Sequence, residues 1–90
     1  MKLPVLLLLY NRSEEAKKIL KYLFKLKIRN IYISIDGPKN NEHDKKSFNE
    51  ILNFLNLPKY KKIKLNFLKK NYGCKRAVEK GISWFFSKEK

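Results

Sequence analysis

Asp36 is the acid most clearly placed to do chemistry. It ends the run Ile31-Tyr32-Ile33-Ser34-Ile35, in which β-branched residues alternate with Tyr32 and Ser34 at the period of a strand. Gly37 and Pro38 follow and stop the ladder, Gly by its conformational freedom and Pro by lacking an N–H. Ligands of open α/β sheets bind beyond the carboxyl ends of the strands, so a carboxylate there is placed to meet one; the plainer reading is turn chemistry alone. Arg12, after Tyr10-Asn11, stands at the end of another apolar run. It is either a phosphate contact or one more surface cation. Asn71-Tyr72-Gly73 precedes a helical pattern whose first turn holds Cys74, Lys75 and Arg76, and unpaired N–H groups at a helix start favour anions. Lys75 and Arg76 read as solvent-facing, and Cys74 as a small packing residue. His43 lies alone in a polar stretch and supports no metal or catalytic role.

The elements that must position these residues follow from hydrophobic spacing. Pro4 to Tyr10 is expected as a first strand, its unbroken Val5-Leu6-Leu7-Leu8-Leu9 suiting a central parallel strand covered on both faces. Ser13 is the expected cap of a helix with Glu14 and Glu15 in its first turn and Ala16, Ile19, Leu20, Leu23 and Phe24 on its apolar face. After the strand ending at Asp36, a polar loop from Lys39 to His43 leads to a helix capped by Asp44, with Phe48, Ile51, Leu52 and Leu55 as its stripe. Leu57-Pro58 stops it. Lys62 to Leu68 alternates as a half-exposed strand, and Cys74, Ala77, Val78, Gly81, Ile82 and Phe85 mark a third helix running to Lys90, with Trp84 and Phe86 beside the stripe. The pattern is β-α-β-α-β-α, an α/β architecture with parallel strands and right-handed crossovers.

Ninety residues bound this to one small domain. The formal charge of +14 rests on 22 basic residues, of which only Arg12, Arg29 and Arg76 are arginines. Base-edge and bidentate phosphate recognition favour Arg, so the excess reads as a solvated surface rather than a specific nucleic-acid footprint. The single Cys74 excludes an internal disulfide and a cysteine-based zinc site. Val5 to Leu9 is too short for a secretory core or a membrane span, and the expectation is a soluble, cytoplasmic chain.

Three stretches together resemble the start of a nucleotide-sugar glycosyltransferase of the GT-A fold, in its family-2-like or N-acetylglucosaminyltransferase I-like group. They are Pro4 through Arg12, Ile31 through Pro38, and Lys70 through Val78 continuing into Ile82-Ser83-Trp84-Phe85-Phe86. The resemblance implies a Rossmann-like βαβαβα half with strands ordered 3-2-1, binding a nucleoside-diphosphate sugar, a UDP-sugar first among them. The sugar would pass to an acceptor hydroxyl. It implies that Asp36 meets the donor's base or ribose and that Arg12 reaches its diphosphate or base. Tyr10 and Asn11 would line the same edge, although Tyr10 also suits closure of the core. Gly37 and the Asn71-x-Gly73 segment would complete the nucleotide site.

Such enzymes use a divalent cation, Mg²⁺ or Mn²⁺, held by an acidic motif at the end of the next strand. No Asp-x-Asp or Glu-Asp-Asp occurs in this sequence, so residues 1–90 are expected to be the nucleotide-binding part of a larger domain, inactive alone. The order 3-2-1 would leave the first strand at an edge, whereas 2-1-3 would bury it within these residues. The rival reading is a small basic α/β module that binds RNA or another polyanion without catalysis; it calls for Arg and aromatic residues on one exposed face.

Overall fold

The computed structural model describes residues 3–89. Met1, Lys2 and Lys90 lie outside them, so the expected continuation of the last helix through Lys90 is not described at that residue. The elements are β1 (Val5–Leu9), α1 (Ser13–Lys25), β2 (Ile31–Ile35), α2 (Glu42–Leu55), a 3₁₀ turn (Pro58–Tyr60), β3 (Lys64–Phe67) and α3 (Cys74–Lys88). The three strands form one parallel sheet in the order β1-β2-β3, with Val5 opposite Ile31 and Tyr32 opposite Lys64. These are the neighbours of the order 3-2-1 read from the other edge, and they exclude 2-1-3.

The strand expected to be central is therefore corrected. β2 is the middle strand, with all five residues buried, whereas β1 is an edge with Leu8 exposed. Five successive apolar residues showed that β1 needs cover; they did not say where the cover comes from.

Alternation divides the sheet's faces. Ile31, Ile33 and Ile35, with Leu7 and Leu9 beside them, meet Ala16 and Leu20 of α1 and Ile51 and Leu55 of α2. Full burial of each isoleucine contributes about 1.5–3 kcal/mol, so this face holds most of the core. Tyr32 and Ser34 point the other way, where α3 lies. Tyr32 packs edge-on against Trp84 and Phe85 and donates its hydroxyl proton to Glu89. Close approach there requires Gly81, because a Cβ would lie 2.5 Å from Leu8 Cδ2 and 3.0 Å from Ser34 Cβ.

Helix ends depart from the expected caps. Arg12, not Ser13, occupies the N-cap position of α1, and the Ser13 hydroxyl donates instead to Glu50 Oε1 of α2 at 3.3 Å. α1 closes through Lys27 at φ 62°, with Ile28 N donating to Leu23 O and Lys27 N to Phe24 O, the paired bonds of a Schellman end. α2 begins two residues before Asp44. Its cap is Asn41, whose Oδ1 accepts from Asp44 N at 2.8 Å, so Asp44 belongs to the first turn.

β3 is shorter than the alternation from Lys62 to Leu68 suggested. Pro58 starts the 3₁₀ turn, and a further turn after it, in which Ile63 N donates to Tyr60 O, takes Lys62 and Ile63, which would have begun the strand. The 3₁₀ turn places Tyr60 in the core between Phe24 and Phe54.

Candidate functional site

The carboxyl ends of β1 and β2 meet the start of α3. Asp36 N donates to Leu9 O at 3.0 Å, extending the ladder by one residue and fixing the aspartate between the two strand ends. Its carboxylate is buried, and every acceptor position is filled by the protein. Oδ1 accepts from Gly37 N at 2.9 Å and Tyr72 N at 2.9 Å. Oδ2 accepts from Asn71 Nδ2 at 3.2 Å and Gly73 N at 3.1 Å. A carboxylate has about four lone-pair positions, so Asp36 pins the loop before α3 and has none left over for a ligand.

Asn71 completes the clamp by donating from the same amide nitrogen to Gly37 O at 2.8 Å. Gly37 is required by space: a Cβ would stand 2.4 Å from Lys70 O and 2.8 Å from Leu68 O, both backbone atoms. Gly73 is required by conformation. Its φ of 86° lies in the left-handed region, and from there it caps α3, its carbonyl accepting from Ala77 N at 2.9 Å.

A second buried carboxylate, Asp44, organises the neighbouring strand end. The Tyr10 hydroxyl donates to Oδ2, Asn11 Nδ2 donates to Oδ1 at 3.0 Å, and Lys39 N donates to Oδ2 at 3.3 Å. The Tyr10 bond, followed by that of Asn11, holds Asp44 below its ordinary pKa against the opposing effect of burial. Tyr10 is pushed up to about 12 by burial first, then by its bond to Asp44 and the charges of Asp44 and Asp36.

Between these anchors lies a cleft of about 260 Å³. Leu8, Leu9, Ala77 and Val78 form its apolar walls; Tyr10, Asp36, Lys39, Asn71, Gly73 and Cys74 supply its polar rim. Small-molecule sites usually span roughly 300–1,000 Å³, so the cleft takes a ring-sized part of a ligand rather than a whole nucleotide sugar.

Of the residues singled out in the sequence, Tyr10, Asp36, Asn71 and Gly73 converge on this cleft. Gly37 lies behind it. Asn11 and Arg12 instead line an adjacent polar groove with His43, Lys46 and Glu50 at the starts of α1 and α2. Cys74 is exposed on the cleft rim, correcting its reading as a packing residue.

Sequence reasoning passed over Lys39 and the role of Asp44. The spacing Asn41-x-x-Asp44 carried a signal, an Asx cap followed by an acid in the first helical turn. The partners Tyr10 and Asn11, more than 30 residues away, left none.

The oxygens here do not suit a divalent cation. Asp36 and Asp44 are both committed to N–H and O–H donors, and among the described residues no three His, Cys, Asp or Glu side chains gather as a metal site. No described helix is long and apolar enough to cross a membrane. These features define a small α/β domain with a three-stranded parallel sheet and a small cleft at the strands' carboxyl ends. No protein-family model, curated protein or solved structure matches the chain.

Proposed function

We propose that the cleft binds the nucleoside end of a nucleoside-diphosphate sugar and that the chain is the donor-binding part of a glycosyltransferase passing the sugar to an acceptor hydroxyl. One observation carries this reading: an apolar cleft at the carboxyl ends of β1 and β2 is closed by the start of α3, where backbone N–H groups favour phosphate. The apolar walls suit the face of a base, and UDP is the first donor nucleotide to try.

The roles differ from the simplest expectation. Asp36 fixes Asn71 and Gly73 in place, so its contribution to binding is to hold the rim. Lys39 stands on that rim as a cation for the diphosphate, and Arg12 meets the same group only from the adjoining groove. Asp36 and Asp44, the acids beside the cleft, are taken up by protein donors and are not proposed as ligands of the cation such transfers use.

Titrating UDP into isotope-labelled protein tests the reading by amide chemical shifts. Leu9, Tyr10, Lys39 and the residues from Asn71 to Val78 should shift together. Uridine should move the strand-end residues but have less effect at Lys39 and the start of α3. No saturable shift, or shifts confined to the groove of Arg12, His43 and Glu50, would overturn it.

A further inference from the structure

Among the described residues β1 pairs with β2 alone, and its other side is open. The alternation that sends Val5 N to Asn30 O and Leu9 O to Asp36 N turns the N–H groups of Leu6 and Leu8 toward that open side. Apolar side chains surround the edge from both faces. α2 lies on one side of α1, where Lys17 sits over Phe54 and Ser13 meets Glu50; at about 100° per residue, Ile19 and Leu26 fall on the opposite side, above the edge. On the other face, Val78 of α3 joins Leu8 in the cleft wall, and Ile82 and Phe86 continue that flank. Leu8 is 40% exposed, Ile19 40%, Leu26 51%, Ile82 40% and Phe86 65%. An open strand edge between two bare apolar helix flanks is a site for pairing.

We propose that this edge accepts a further parallel strand and that the strand is the one the encoded chain enters after α3. Two features of the fold select this occupant, independently of the nucleotide reading. The steps from β1 to β2 to β3 run in one direction with α1 and α2 on one face, whereas α3 lies on the other. Parallel crossovers are right-handed in nearly all cases, so a helix on that face steps back across the sheet, and the free place is beside β1. The exit point agrees: Glu89 receives the Tyr32 hydroxyl near the start of β2 and lines a groove with Leu3 and Val5, the level at which a parallel partner of β1 begins. A second copy is the poorer occupant, because each copy carries a formal charge of +14 and the two would repel. The added strand would be apolar on both faces, since α1 and α3 flank it, and would raise the open wall of the cleft beside Leu8 and Val78.

The test compares the intact mass of the natural gene product in its own cells with that of the 90-residue chain, then measures amide hydrogen exchange in both. The natural product should be longer, with an apolar run within about 5–15 residues after Lys90. In it, the Leu6 and Leu8 amides should exchange at least about tenfold more slowly than in the 90-residue protein. Ile82→Glu should lower the melting temperature of the longer product by more than that of the 90-residue protein, because 40% of Ile82 is still exposed in the short chain. A natural product that ends at Lys90, whether monomer or dimer, would overturn the proposal. So would a longer product whose Leu6 and Leu8 amides exchange as fast as those of the short chain.

Discussion

Asp36 shows how a strand-ending carboxylate can serve a site without touching its ligand. Its four internal hydrogen bonds hold three backbone N–H groups and the Asn71 amide; removing the side chain leaves the three N–H groups without an acceptor, while Asn71 keeps its bond to Gly37 O. Bonds to a charged acceptor contribute about 1.5–3 kcal/mol each but do not add independently, so Asp36→Ala should cost about 3 kcal/mol or more in urea unfolding. A change within about 0.5 kcal/mol would show that the clamp is not closed in solution. Asp44 and Tyr10 make a second prediction, with opposite signs at the two ends of the pH scale. Asp44 has a folded pKa below its unfolded value, so its contribution is present above the ordinary carboxylate range and is lost as pH falls through the folded pKa. Tyr10 is raised from 10.0 to about 12, so its contribution is whole below pH 10.0 and is lost as pH rises toward 12. Melting temperatures across pH should fall at both ends. Asp44→Asn should flatten the acid limb and Tyr10→Phe the alkaline limb; an unchanged acid limb in Asp44→Asn would remove Asp44 as its source.

Two glycines decide how closely the elements approach, and they should respond differently to added bulk. At Gly37 a Cβ would strike backbone carbonyls that cannot turn aside, so Gly37→Ala should open the clamp, lower stability by about 1–3 kcal/mol and spread chemical-shift changes through Asn71 to Gly73. At Gly81 the nearest atom is the end of the Leu8 side chain, which can rotate, but Ser34 Cβ at 3.0 Å is carried by the middle strand. Alanine gains about 1 kcal/mol of helix propensity there, which offsets part of the crowding; Gly81→Val adds to the crowding and keeps only a smaller part of that gain. Urea unfolding should therefore rank the losses as Gly37→Ala and Gly81→Val above Gly81→Ala, and a stabilised Gly81→Val would show that α3 is not seated on the sheet. The same contrast explains what could be read from sequence. β2, its terminal Asp-Gly-Pro and the helices are local patterns, and the structure has them where spacing did, although Ile19, Cys74 and Ile82 of the expected stripes are exposed. The Asn71-Gly73 segment was also legible, because glycine before a helix is a local signal. The edge position of β1, the core role of Tyr60 and the bond between Tyr10 and Asp44 depend on partners that no window of neighbouring residues contains.

At the scale of the whole molecule, the charge and the aromatics bear on the rival reading of a basic RNA-binding module. Every described lysine except Lys17 is exposed, and these lysines lie on all three helices, on β3 and in the loops between, so the charge is not gathered on one element. Several aromatic rings that a single strand would need for stacking are already covered by cations. Lys70 and Lys80 lie 5.0 and 4.5 Å from the Tyr72 ring, and Lys64 lies 4.6 Å from that of Tyr32, within the roughly 6 Å of a cation–π contact. Tyr32 is also buried beneath Trp84 and Phe85. What remains for a polyanion is counterion release, a term that carries no sequence information and weakens linearly on logarithmic axes as salt rises. Fluorescence anisotropy with two RNAs of equal length and unrelated sequence should therefore give equal affinities at low salt, falling together and steeply toward physiological salt. Selective binding that survives that salt would require unshielded bases to meet open aromatic faces or arginines, and would shift the function from the cleft to the surface.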